Sequence, residues 1–144
     1  MRLPHQLEDA VAGIRALVVD DSATVRRLMD LTLRPMGIDL EFADRGEDAL
    51  VLARNRGYDI VFLDVMLPGI DGYRVCKTIK SDKATRHTPV IMLTSKDSAF
   101  DKVRGIMAGT DVYLTKPIDR AALLKAMAKC LPAIQTMVRA HGAA

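Results

Sequence analysis

Four stretches of the chain run from apolar residues straight into groups that can do chemistry. Leu17-Val18-Val19 leads to Asp20, Asp21 and Ser22, and Phe62-Leu63 leads to Asp64. Met92-Leu93 leads to Thr94 and Ser95, and Tyr113-Leu114-Thr115 leads to Lys116 and Pro117. Three carboxylates, hydroxyls and one ammonium suit two partners. Hard oxygen ligands with several positions left open suit Mg2+, which demands octahedral geometry and keeps waters. The remaining groups suit a phosphoryl group: an ammonium binds its oxygen as a point charge, and a threonine hydroxyl donates to another. One carboxylate could then be the nucleophile, since aspartyl phosphates are a known covalent intermediate. The adjacent pair Asp20-Asp21 asks for a cation on its own account. Two unit charges about 5 Å apart repel by roughly 3 kcal/mol at an effective dielectric of ~20.

These groups act together only if the elements before them end at one place. The runs 16–19, 60–63, 90–93 and 112–114 are unbroken apolar stretches, which fits strands covered on both faces in a parallel sheet. Ile38, Leu40 and Phe42 alternate with Asp39 and Glu41, which suits a half-exposed edge strand. Helical stripes lie between: Val25, Leu28, Met29 and Thr32; Ala49, Leu52 and Ala53; Gly72, Val75, Cys76 and Ile79; Phe100, Val103, Ile106 and Met107; Leu123, Leu124, Met127, Cys130 and Leu131. Ser22, Ser98 and Asp119 read as N-caps, with Asp101 at the capping-box position after Ser98. Gly37 and Gly109 read as helix stops, and Pro35 ends the first helix near Arg34.

The order is strand-helix five times over. That implies an α/β fold, a doubly wound parallel sheet with helices on both faces and right-handed crossovers. Ligands in such sheets bind beyond the carboxyl ends of the strands. Every strand except the edge one delivers a reactive group there. Residues 14–131 make one domain, 1–13 an N-terminal extension and 132–144 a short tail.

Composition narrows the class. Against 18 Asp+Glu stand 21 Lys+Arg, and the resulting +3 is too small to argue for nucleic acid. His5, His87 and His141 are too far apart to suggest a metal cluster. Cys76 and Cys130 sit in helical stripes without a CxxC and read as reduced packing residues. No apolar run approaches ~18 residues, so no membrane insertion is expected, and Glu8 and Asp9 interrupt any signal-peptide core. A cytoplasmic protein is the expectation. Each reactive group also has a plainer reading: Asp20-Asp21 as a solvated helix start, Asp64 as a turn residue, Thr94 and Ser95 as loop hydroxyls, Lys116 as a surface charge. One such group per strand end, in register, is harder to reach by accident.

Those residues carry a resemblance. Over roughly residues 14–131 the sequence resembles the receiver domain of two-component response regulators. The resemblance implies a flavodoxin-like (βα)5 sheet of order 2-1-3-4-5. It makes Asp64 the phosphoacceptor, with Asp20, Asp21, Asp64 and the backbone carbonyl of Met66 as ligands of Mg2+, Asp21 more directly than Asp20. Thr94 would follow the phosphoryl group, Lys116 would pair with it, and Tyr113 matches an aromatic switch position. The Lys116-Pro117 bond would be cis. A histidine kinase would be the phosphodonor, and the face of helix 4, strand 5 and helix 5 would report to a downstream protein. The chain would be no enzyme beyond catalysing its own phosphorylation and dephosphorylation. Met66 and Lys96 fall where family members line the path of the hydrolytic water, and Met66 orients water poorly, so slow self-dephosphorylation is expected. The run from Gly72 to Pro117 is especially similar to single-domain regulators of chemotaxis type that control type IV pilus twitching motility.

Rival readings have specific requirements. A haloacid-dehalogenase-type phosphatase needs a second Asp where Met66 stands. A flavin carrier needs a small hydroxyl-rich phosphate loop after the first strand, and a dinucleotide domain needs GxGxxG there, where the chain has DDSATV. A receiver-fold adaptor that is never phosphorylated, or a phosphorelay intermediate, stays open. Finally, Arg74, Lys77, Lys80, Lys83 and Arg86 recur every three residues. The first three would share the outer side of the third helix, either as a solvated face or as a dock for an acidic partner.

Overall fold

A computed structural model describes residues 13–95 and 99–135, without the side chains of Ala99 and Phe100. Its elements are β1 (Arg15–Val19), α1 (Ala23–Leu33), a 3-10 turn (Arg34–Met36), β2 (Asp39–Ala43), α2 (Gly46–Arg56), β3 (Ile60–Asp64), α3 (Gly72–Ser81), β4 (Val90–Thr94), α4 (Ala99–Ala108), β5 (Val112–Thr115) and α5 (Arg120–Cys130). The strands form one parallel sheet, as the alternation of patterns implied, in the order β2-β1-β3-β4-β5 that the resemblance implied.

Period two divides the core into two layers. Ala16, Val18, Ile60, Phe62, Ile91 and Leu93 face α1 and α5, meeting Met29, Leu33, Leu123 and Met127. Their neighbours Leu17, Val19, Val61, Leu63, Val90 and Met92 face α2 and α3, meeting Ala49, Val75, Cys76 and Ile79. Burying each large aliphatic or aromatic side chain contributes about 1.5–3 kcal/mol. Both layers are buried, so the three central strands are clamped and their carboxyl ends are held in place.

The caps behave as their chemistry requires. The Ser22 hydroxyl accepts from Val25 N, and the Asp119 carboxylate accepts from Ala122 N. Gly37 and Gly109 end their helices at φ 85° and 90°, the left-handed region that favours glycine. Pro35 sits in the 3-10 turn that follows α1. Cys76 is buried and donates through Sγ to the Ala108 carbonyl at 3.4 Å. Both cysteines are free, and burial pushes the Cys76 thiol up to about 12, so it packs and does not react. No helix among the described residues is long and apolar enough to cross a membrane.

Four expectations need correction or extension. The run 112–114 is not covered on both faces, because β5 is the second edge of the sheet and Val112, Tyr113 and Leu114 are half-buried. Val103, Ile106 and Met107 of the α4 stripe do not face the core: they are 51%, 73% and 79% exposed, while Gly105 and Ala108 are buried. The small residues let α4 lie close to β5, which turns the large ones outward. Lys80 is not on the outer face of α3. Its ammonium is drawn inward to the Thr88 carbonyl at 2.8 Å and Asp111 at 2.7 Å. Ile134, three residues into the segment expected as a tail, is fully buried against the α1–α5 layer. The Ser98 cap, the Phe100 side chain and Lys96 lie outside the described residues.

Candidate functional site

Strand register brings the reactive groups to one edge. Val19 pairs with Leu63, so Asp20 follows in line with Asp64. Asp64 pairs with Leu93, one residue before Thr94, and Thr94 pairs with Thr115, one residue before Lys116. The Lys116–Pro117 bond is cis, and Lys116 N donates to the Thr94 carbonyl at 2.7 Å. That bond ties the lysine loop to the end of β4.

The first carboxylate is set by local geometry. Asp20 Oδ1 accepts from Ser22 N at 2.8 Å, a turn that starts α1. Arg26, one turn into α1, donates from Nε to the Asp20 carbonyl at 2.9 Å, pairs with Asp44 and stacks on Phe42 at 5.2 Å. Asp64 Oδ1 accepts from Met66 N at 3.2 Å. The Lys116 ammonium stands 2.9 Å from Asp20 Oδ2 and 3.4 Å from Asp64 Oδ2. Asp20 is fully buried, Asp64 is nearly so, and Asp21 is exposed beside them.

Charge at this edge is out of balance. Three carboxylates face one ammonium. Burial, then the neighbouring Asp20 charge, raises the Asp64 pKa, and Lys116 and the Met66 N–H only partly oppose this. Burial alone would lower the Lys116 pKa, but Asp20 and Asp64 together raise it, so it stays a cation. Asp20 Oδ2 is buried and meets no hydrogen bond of good geometry, with the Lys116 ammonium at 2.9 Å as its counter-charge. A buried acceptor in that state costs free energy. Oxygens of Asp20, Asp21 and Asp64 lie within 4.8 Å of one another. The orphaned oxygen and an all-carboxylate donor set fit a hard divalent cation such as Mg2+. Met66, whose carbonyl is expected to join them, sits at the mouth with its side chain 57% exposed.

Thr94 is fully buried at the end of β4. Tyr113 is not part of the carboxylate cluster. Its ring lies over Gly105 of α4, where an added Cβ would meet the ring at 3.2 Å. The Tyr73 hydroxyl donates to the Asp101 carbonyl at 3.1 Å and is also hydrogen bonded to Tyr113.

The supporting roles of several residues escaped the sequence reading. Gly72 packs so tightly behind the site that a Cβ there would come 2.2 Å from the Asp64 carbonyl oxygen. Its neighbour Asp71 caps α3 by accepting from Arg74 N at 2.9 Å. Glu47 reaches from α2 to accept from Ile70 N at 2.8 Å, holding the β3–α3 loop. The Asp-Gly pair in GIDGY was the legible signal for the first two. Glu47 had none, because its partner is a backbone group 23 residues away.

Comparison with known proteins points to one family. The family profile described as response regulator receiver domain matches residues 16–128. Protein PilG of Pseudomonas aeruginosa is 42% identical over 126 residues, covering 88% of this chain and 93% of PilG. Protein PilH of the same organism is 39% identical over 111 residues, covering 77% of this chain and 92% of PilH. A solved receiver domain of a P. aeruginosa sensor histidine kinase, with magnesium coordinated in its active-site cleft, matches at 29% identity and TM-score 0.77. That match covers 84% of this chain and 99% of the other.

Proposed function

The chain belongs to the response regulator receiver domain family, and on that premise we propose that it accepts a phosphoryl group on Asp64 and signals through protein contacts. The observation that carries this reading is the buried, charge-strained Asp64 between Asp20 and Lys116. An Asp64 oxygen attacks the phosphorus of a histidine kinase's phosphohistidine. The P–N bond breaks, its electron pair leaves on the imidazole, and an acyl phosphate remains. Lys116 holds a transferring oxygen as a point charge, and Thr94 donates to another once it moves in. Asp20, Asp21, Asp64 and the Met66 carbonyl would hold Mg2+, which when bound supplies positive charge against the phosphoryl oxygens. Catalysis beyond the chain's own phosphorylation and dephosphorylation is not part of this reading.

Output would pass through α4, β5 and α5, where the apolar side chains of α4 stand exposed. Likeness to PilG and PilH favours a role in pilus-motility control. Met66 at the mouth favours a long-lived acyl phosphate, and a lifetime of only seconds would contradict that point.

Intact-mass spectrometry after incubation with acetyl phosphate and Mg2+ tests the central step. The wild type gains one phosphoryl group and Asp64→Asn gains none. A folded wild type that gains nothing would favour the alternative, a receiver-fold adaptor that works unphosphorylated.

A further inference from the structure

Beside α3 runs an open groove of about 420 Å3, walled on its other side by α4. Arg74 and Lys77 line it from α3, Arg104 and Met107 from α4, with buried Tyr73 beneath and Asp71 at its edge. Because Lys80 is drawn away to Thr88 and Asp111, the basic surface does not continue along α3. It crosses the groove to Arg104 instead.

The groove has a surplus of positive charge. Among the described residues Arg74 and Lys77 pair with no carboxylate. Asp71, the acid that lines the groove, is occupied in capping Arg74 N and stands 4.0 Å from Arg104, and Asp101 lies beside Tyr73 at its floor. The Arg104 guanidinium is stacked on the Tyr73 ring at 4.2 Å. Stacking fixes its plane and leaves in-plane N–H donors free for a carboxylate, at little further loss of side-chain freedom. Met107, 79% exposed, offers an adaptable apolar seat beside these cations. Cations on both walls and an apolar seat between them complement a chain segment that alternates carboxylates with apolar side chains.

We propose that the α3–α4 groove docks an acidic, amphipathic segment of a partner protein. Carboxylates of the segment engage Arg74, Lys77 and Arg104, and an apolar side chain seats on Met107. This surface lies on the side of α4 away from β5. It shares Met107 of α4 with the proposed output face, but none of its residues belongs to the carboxylate site, so binding in the groove does not require phosphorylation.

The test is an NMR titration of the isotope-labelled full chain with a synthetic peptide of about 12 residues, rich in Glu with Leu at helical spacing. Resonances of residues 71–77 and 104–108 should shift, and added salt should weaken binding. The double variant Arg74→Glu/Lys77→Glu should lose roughly tenfold or more in affinity, while its resonances away from the groove match wild type and show the fold intact. A peptide with Lys in place of Glu should not bind. Equal affinity in the double variant, or shifts centred elsewhere, would overturn the proposal. So would binding to phosphatidylglycerol vesicles without binding to the peptide, since the groove would then serve a membrane surface.

Discussion

The carboxylates of Glu41 and Asp64 sit on one sheet and meet opposite surroundings. Glu41, on the edge strand β2, accepts from Arg15 at 2.9 Å, from Arg56 at 3.0 and 3.1 Å, and from the Tyr58 hydroxyl at 3.0 Å. Burial alone would raise its pKa, but Tyr58 and the two guanidinium groups bring it below the ordinary value. Asp64 has one ammonium, shared with Asp20, and its pKa is raised. The Glu41 cluster is satisfied by its own chain. The Asp64 cluster is left short of positive charge. A site that stabilised itself fully would have nothing to gain from a cation or a phosphoryl group, so the shortfall is what the proposed function would use.

Removing the cation should sharpen the contrast most. Lys116→Met leaves the fully buried Asp20 without its counter-charge and should cost about 3 kcal/mol in urea unfolding. Mg2+ should restore part of that loss, because the carboxylates regain a cation. Breaking the other cluster with Glu41→Ala should cost about 2 kcal/mol, the scale of hydrogen bonds to a charged group. Mg2+ should restore none of it. Equal rescue of both variants would erase the distinction between the clusters.

The smallest effect has the opposite sign and depends on pH. A raised carboxyl pKa contributes stability that is full below the ordinary value of about 4 and is lost as pH rises through the raised one. Ionised Asp64 therefore burdens the metal-free fold at neutral pH. Asp64→Asn should melt above wild type at neutral pH without Mg2+, with the gap closing in acid. Glu41 works the other way, since its stability is present above about 4 and lost as pH falls through the lowered value. Glu41→Gln should melt below wild type at neutral pH, with the gap again closing in acid.

Much of the site was legible because parallel strands advertise their ends. Buried strands such as Ile60-Val61-Phe62-Leu63 must be apolar throughout, so the first polar residue after each marks the carboxyl edge. That logic reached Asp20, Asp64 and Thr94 without coordinates, and Lys116 follows one residue after Thr115, the polar residue that ends the fifth run. It failed where a side chain's direction depends on a distant partner. Val103, Ile106 and Met107 keep helical spacing whether they meet the sheet or solvent, and Gly105 lying under Tyr113 decides between them. Lys80 has the spacing of a surface lysine, yet Asp111 and the Thr88 carbonyl turn it inward. Tyr73 drew no notice because its role rests on Asp101 and Tyr113, 28 and 40 residues further along the chain.

The central claim is that the carboxylate edge is held short of positive charge for a divalent cation to supply. Thermal unfolding with and without Mg2+, for wild type and Asp21→Asn, tests it most directly. At Mg2+ near 100 times its dissociation constant, the wild type should gain about 2.7 kcal/mol, seen as a rise in melting temperature. Asp21→Asn should gain much less at the same concentration. A wild-type melting temperature indifferent to Mg2+, or an equal rise in both proteins, would contradict the account.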